Sequence, residues 1–253
     1  MTDLLAVRDI RKSFGGVHAV DGVSLSVPQG STTGLIGPNG AGKSTALGVI
    51  AGALRADGGT VEFDGDDISG LPPMNRARRG LIRTFQTSSP FSRLTVLENL
   101  LVAAQNNPGE TLLGAVLLGK RSWRRHEREL VDRARELMAQ FEMTDKEDEW
   151  AGNLSGGQRR LLEIMRGLMA RPKLLLLDEP MAGVNPTLAR GIEGHLERLR
   201  HDGLTMLMIE HELGVVERLC DRVIVMAQGK VISEGTMESL RTEQEVLDAY
   251  LVG

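Results

Sequence analysis

The sequence predicts an α/β fold built on a phosphate-binding loop, and three stretches carry that expectation. Residues 37–45 read Gly-Pro-Asn-Gly-Ala-Gly-Lys-Ser-Thr, in which Gly37 to Ser44 fits the pattern Gly-x-x-x-x-Gly-Lys-Ser. Residues 174–177 are successive leucines ending in Asp178-Glu179-Pro180. An unbroken apolar run of strand length is what a parallel strand buried on both faces requires. Residues 204–209 form another such run and deliver Glu210-His211. In open α/β sheets, ligands sit at the C-terminal ends of such strands, so both Asp178-Glu179 and Glu210-His211 fall where a ligand is expected.

The loop is the most specific local signal. A strand at 32–36 leads into it and a helix at 46–51 continues from it. Glycines let the backbone of Gly37, Pro38, Asn39, Gly40, Ala41 and Gly42 curl into a concave anion nest. Lys43 is positioned to reach β- and γ-phosphates, and Ser44 to place its hydroxyl on a magnesium ion, with Thr45 completing the motif. The positive end of the following helix dipole adds to the same anion site. Asp178 is the candidate magnesium carboxylate, direct or through water. Glu179 is the candidate group that orients and polarises water for in-line attack on the γ-phosphate. His211 ends a core strand beside them and is expected at the γ-phosphate.

Before the loop, residues 4–14 and 17–27 alternate apolar and polar positions around Gly15-Gly16, which predicts an antiparallel pair. Phe14 precedes that turn and reads equally as a ring stacked on a nucleotide base or as a strand-end hydrophobe. After the loop come a strand and turn at 61–65, a short basic helix at 73–79, and a strand at 81–85 ending at Gln86. Helical patterns cover 96–104 and 125–141. Residues 106–123 are atypical, an Asn-Asn-Pro-Gly break followed by an apolar and then a basic piece. This insertion reads either as a docking or headgroup-facing surface or as a solvated hairpin.

Leu154-Ser155-Gly156-Gly157-Gln158 opens the next helix. Ser155 and Gln158 have capping-box spacing. Two glycines in a first helical turn each cost about 1 kcal/mol relative to alanine, and a cap has no need of them. Bare N–H groups at a helix N-terminus suit a second phosphate contact. Asn185-Pro186 reads as an N-cap followed by proline at the first helical position. A strand pair about Gln228-Gly229 and polar helical segments end the chain.

The bulk properties narrow the function class. The 253 residues carry a formal net charge of −4 and a pI near 5.8, which argues against a chain that coats nucleic acid. Cys220 is the only cysteine, so no internal disulfide forms and a reducing cytosol fits. No signal peptide is read at the N-terminus, and no apolar run approaches a membrane span.

Taken together and in order, these motifs resemble the nucleotide-binding subunits of ATP-binding-cassette (ABC) transporters over essentially the whole chain. Leu154–Gln158 matches the family signature, the most specific element. The resemblance implies ATP and Mg2+ as cofactors, with Phe14 at the base-stacking position, residues 37–45 as Walker A, and 174–179 as Walker B. It makes Gln86 the Q-loop glutamine, a switch residue at magnesium and nucleotide, and His211 the switch histidine. Asn185 stands where many members carry Asp in the D-loop. Arg83-Thr84-Phe85-Gln86, the insertion after Gln105, residues 182–186, Ile209-Glu210-His211 and the ending Ala249-Tyr250-Leu251 are similar to the ATPase subunits of branched-chain amino-acid importers. The ATPase of lipopolysaccharide export shares much of this pattern.

The family implies a P-loop NTPase fold: a RecA-like core sheet, an antiparallel β lobe and an inserted α-helical lobe. A single domain over 1–253 is expected, with the core and β lobe at about 1–86 and 172–253 and the helical lobe at about 87–171. It also implies a head-to-tail homodimer or heterodimer, with each ATP between one Walker A and the partner's signature. Separate integral membrane permeases are implied, with a periplasmic or extracellular substrate-binding protein acting indirectly. The subunit is then cytoplasmic and peripheral on the inner face of the cell membrane, with no nucleic-acid partner. The leading expectation is ATP hydrolysis that powers uptake, the resemblance implying branched-chain or other amino acids as substrates. A nucleotide-gated clamp on nucleic acid or ribosome is the competing class, but its usual long coiled-coil insertion or second cassette is missing here. A binding-only subunit is disfavoured because Glu179 and His211 are both present.

Overall fold

The computed structural model describes residues 2–84, 90–104 and 120–251. Phe85, Gln86 and residues 106–119 of the atypical stretch lie outside the described residues. The chain divides into two units, one of residues 1–83, 173–182 and 190–253, the other of 84–172 and 183–189.

The leucine run becomes β7 (Leu174–Asp178), one strand of a six-stranded sheet in the first unit. Its order is β10-β9-β3-β8-β7-β6, with β3 at Thr32–Ile36, β6 at Leu81–Arg83, β8 at Thr205–Ile209, β9 at Arg222–Ala227 and β10 at Lys230–Gly235. Strands β6, β7, β8, β3 and β9 pair in parallel, and β10 closes the edge antiparallel to β9. Every residue of β3, β7 and β8 is buried, which is why these segments show no alternation in the sequence.

One face of this sheet meets helix α1 (Lys43–Ile50) and a second sheet. Leu35, Leu174, Leu176, Leu207 and Ile209 share a core with Leu47 and Ile50 of α1 and with Leu5 and Phe63. The second sheet is antiparallel, order β2-β1-β4-β5, with β1 at Asp3–Phe14, β2 at Val17–Pro28, β4 at Gly58–Phe63 and β5 at Asp66–Asp67. The expected β1–β2 hairpin is present, Phe14 opposite Val17. The opposite face of the six-stranded sheet packs Ile36, Val223 and Val225 against Val216, Leu240 and Val246.

Local chemistry accounts for the sharp turns. Asp64-Gly65 joins β4 to β5 with φ of 54° and 81°, and Gln228-Gly229 joins β9 to β10 with 48° and 79°. Two consecutive left-handed residues match the twist of the flanking strands, so Asx/Gln-Gly suits a two-residue hairpin. Cys220 lies against Gly34, where an added Cβ would sit 3.0 Å from its sulfur. Burial pushes its thiol up to about 12, so it stays protonated and inert.

The second unit is helical, with α3 at Val96–Ala103, α4 at Lys120–Gln140 and α5 at Gly156–Met169; α2, at Pro73–Arg78, belongs to the first unit. Thr95 caps α3 through a complete capping box with Glu98. Asn99, fully buried, accepts from Phe91 N–H and donates to the carbonyls of Phe91, Leu94 and Thr95, which locks the turn entering that helix. The helix expected at 125–141 starts earlier, at Lys120. The basic segment read as part of the insertion is its first turn, since Lys and Arg are good helix formers. Its stripe of Ala134, Leu137 and Met138 is buried, as is Phe141 just beyond. Among the described residues no helix is long and apolar enough to cross a membrane.

Candidate functional site

The loop between β3 and α1 is shaped by two glycines that no other residue could replace. Gly37 has φ 146°, and a Cβ there would lie 2.0 Å from the Met226 carbonyl oxygen. At Gly42, φ is 97° and a Cβ would lie 2.2 Å from the Ala19 carbonyl oxygen. The loop is thus wedged between β9 and β2 at backbone distance. Gly42 is also the N-cap of α1 and, having no side chain, leaves the first N–H groups of that helix without a side-chain acceptor.

Lys43 lies inside this curl, 5% exposed. Its Nζ donates to the carbonyls of Gly37 at 2.7 Å and Pro38 at 2.9 Å. Burial lowers its pKa, while the carboxylates of Glu179 and Asp178 act in the opposite sense. A partly desolvated ammonium hydrogen-bonded to neutral carbonyls is poised to exchange them for anionic oxygens.

Beyond the lysine, Ser44 Oγ donates to Asp178 Oδ1 at 3.5 Å. The other oxygen of Asp178 accepts from Arg83 Nη2 at 2.7 Å. Glu179 follows with φ 49°, a left-handed conformation that costs a non-glycine residue about 1–2 kcal/mol and is typical of residues held at functional sites. Its N–H donates to the Ile209 carbonyl at 3.0 Å. Its Oε1 lies 2.9 Å from His211 Nε2, so β7 and β8 bring together a carboxylate and an imidazole that are far apart in the chain. A hydroxyl and a carboxylate are the hard oxygen donors that Mg2+ takes, with phosphate and water completing its shell. Ser44 and Asp178 therefore fit that ion.

Phe14 is half-exposed with Lys12 Nζ 5.5 Å from its ring centroid. Its partner across the hairpin, Val17, is two residues from Ala19, whose carbonyl abuts Gly42. The exposed ring is carried by the hairpin end that touches the loop.

The second unit carries the other sequence-predicted group. Ser155 caps α5, its Oγ accepting from Gln158 N–H, while Gln158 Oε1 accepts from Ser155 N–H. The capping box is real, and it leaves the serine hydroxyl proton available to an acceptor. The two glycines differ. A Cβ at Gly157 would meet Leu188 at 2.5 Å, whereas among the described residues nothing lies within 4 Å of one at Gly156. Packing within the chain explains Gly157 alone. Asn185 caps its helix as expected, Oδ1 accepting from Leu188 N–H at 3.0 Å, with Pro186 opening α6 (Pro186–His201).

The profile of the ABC transporter family matches residues 20–182, a span that holds the loop, the signature and the β7 carboxylates. The chain belongs to the ABC transporter family. A probable branched-chain amino acid transport ATP-binding protein LivG of Methanocaldococcus jannaschii is 42% identical, covering 98% of this chain and 97% of that one. The high-affinity branched-chain amino acid transport ATP-binding protein BraF of Pseudomonas aeruginosa is 39% identical over the same shares. Among solved structures, the ADP conformation of an ATP-binding cassette of an ABC transporter matches with TM-score 0.86 and 40% identity over the whole of both chains. A nucleotide-free ATP-binding cassette matches with TM-score 0.85 and 41% identity, covering 98% of this chain and 99% of that one. The P-loop NTPase fold with its helical lobe is that of these ATPase cassettes.

Two groups of this cassette were not singled out in the sequence. Arg83 appeared there only within a family-like string, and its pairing with Asp178 comes from strand register. Glu210, 4% exposed, accepts from Met181 N–H at 3.0 Å and from His211 N–H at 3.2 Å. It ties the turn after Glu179 to the residue that carries the imidazole. Burial raises its pKa against the lowering effect of those two N–H groups. A glutamate directly before His211 on a core strand was a readable signal, since a carboxylate there has to find backbone donors.

Proposed function

We propose that this ATPase powers uptake of branched-chain amino acids through separate integral membrane permease subunits, docked on the inner face of the membrane. The observation that carries the catalytic half is the assembly at one sheet edge of the loop lysine, the Ser44–Asp178 contact and the Glu179–His211 pair. The names and near-complete coverage of the relatives support the substrate class.

In this reading the 37–42 backbone and Lys43 bind the phosphates of ATP, and Phe14 stacks on the base. Ser44 and Asp178, with Gln86 by family resemblance, would hold Mg2+, which would supply positive charge to the phosphate oxygens. Glu179 accepts a proton from the attacking water or polarises it, and His211 holds that carboxylate in place and approaches the γ-phosphate. Two copies, or this chain and a second cassette, assemble head to tail so that the exposed N-terminus of α5 completes the opposite ATP site. Gly156 is exposed, with nothing among the described residues within 4 Å of where its Cβ would be, and this favours a contact from outside.

Ser155→Arg tests the dimer. The substitution removes a cap worth about 1 kcal/mol and puts bulk where a phosphate is expected. The isolated variant should bind ATP as wild type does, yet fail to dimerise with ATP in size-exclusion chromatography and lose turnover. Normal ATP-dependent dimers would leave Ser155 as a helix cap and nothing more.

Deleting the gene in its own host tests the substrate. Uptake of labelled leucine, isoleucine and valine at low concentration should fall to background and return with the wild-type gene. Unchanged uptake of all three, with the purified protein still hydrolysing ATP, would overturn the substrate class and leave the ATPase intact.

A further inference from the structure

Arg83 sits at the end of β6 opposite Leu176 of β7, and Asp178 lies two residues beyond that leucine. Side chains two apart share a sheet face, so the guanidinium reaches one pleat along to the carboxylate. The pair is enclosed, with the Arg83 side chain 15% exposed and that of Asp178 at 0%. Enclosing such a pair is a poor way to gain stability, because desolvating both charges offsets their attraction. Among the described residues Arg83 Nε is moreover buried without a hydrogen-bond partner. The arrangement has a consequence for binding instead. Oδ2 is held by the guanidinium while Oδ1 faces Ser44.

We propose that Arg83 is a positioning residue that turns Asp178 Oδ1 toward Ser44 and, by its charge, keeps a free divalent cation off that carboxylate until nucleotide phosphates arrive. This rests on the reading of Asp178 as the magnesium carboxylate. Without phosphates, a divalent ion on Oδ1 faces both the guanidinium and the nearby Lys43 ammonium. With phosphates bound, their negative charge outweighs the two cations. Metal and nucleotide then enter together, and the empty site does not fill with metal alone.

The test is a titration of Mn2+, an EPR-visible stand-in for Mg2+, into the nucleotide-free protein. Arg83→Gln keeps a hydrogen bond to Asp178 and removes the charge. It should bind Mn2+ about tenfold more tightly than wild type or better, as removal of a like charge a few ångströms away implies. Arg83→Lys restores the charge and should return toward wild-type affinity. Should the glutamine variant fail to fold by circular dichroism, Arg83→Met, a well-packing neutral residue, makes the same reading. A folded neutral variant with wild-type Mn2+ affinity would overturn the proposal. Asp178→Asn, titrated with ADP present, separates the underlying assignment. Unchanged Mn2+ affinity there would show that Asp178 is no metal ligand, and would remove the basis for any role of Arg83.

Discussion

Glu179→Gln is expected to bind ATP within a few-fold of wild type and to hydrolyse it about 10²–10⁴ times more slowly, the usual contribution of a positioned proton acceptor. The amide keeps the size of the side chain and an oxygen that can still accept from His211 Nε2, now 2.9 Å from Glu179 Oε1. Geometry survives and basicity does not, so binding and chemistry separate. On the proposed reading, ATP then traps a long-lived dimer that elutes early in size-exclusion chromatography. Single-turnover kinetics provide the second readout, because the loss should fall on the chemical step rather than on ATP binding. Wild-type hydrolysis in this variant would remove Glu179 from the catalytic role.

Lys43→Ala is expected to lower ATP affinity by about two orders of magnitude or more. Charge-assisted hydrogen bonds contribute about 1.5–3 kcal/mol each, and every 1.4 kcal/mol is tenfold in affinity. Stability should change little. The variant loses the bonds to the Gly37 and Pro38 carbonyls, but it also no longer desolvates an ammonium at 5% exposure. Those terms oppose one another. Calorimetric titration with ATP, beside a thermal melt by circular dichroism, separates the two effects. Wild-type affinity in a folded variant would show that the lysine does not meet the phosphates.

Much of the site was legible because it is encoded in short windows. The loop motif, the apolar runs at 174–177 and 204–209, the cap at Asn185 and the Ser155–Gln158 box all depend on neighbours within a few positions. The positions of strands and helices followed for the same reason, with errors at their ends. The strand expected over 81–85 is seen as Leu81–Arg83 within the described residues, and α4 begins at Lys120 rather than near 125. Gln86 and residues 106–119 of the insertion lie outside the described residues.

The signature glycines mark where local reading stopped. Local sequence reads both as bare backbone for a ligand, because a cap has no need of them. One of them, Gly157, packs tightly against the Leu188 side chain, some thirty positions on in the chain, so that a Cβ there would force that leucine to shift, and Gly156 alone keeps the argument from bare backbone. No window of sequence contains that distinction.

The sequence by itself determined the chemistry available: a loop that can hold phosphates, a lysine, a hydroxyl, two carboxylates and a histidine, each on a named element. Tertiary structure alone decided which of these groups touch. Parallel register sets Arg83 one pleat from Asp178 and lays Asp178 beside Ile209, and a slip of one residue would turn those side chains to the opposite face. It also bent Glu179 into a left-handed turn toward His211 and buried Glu210 between the two strand ends. These are consequences of non-local pairing, in which the position of one strand is set by the burial of its neighbours.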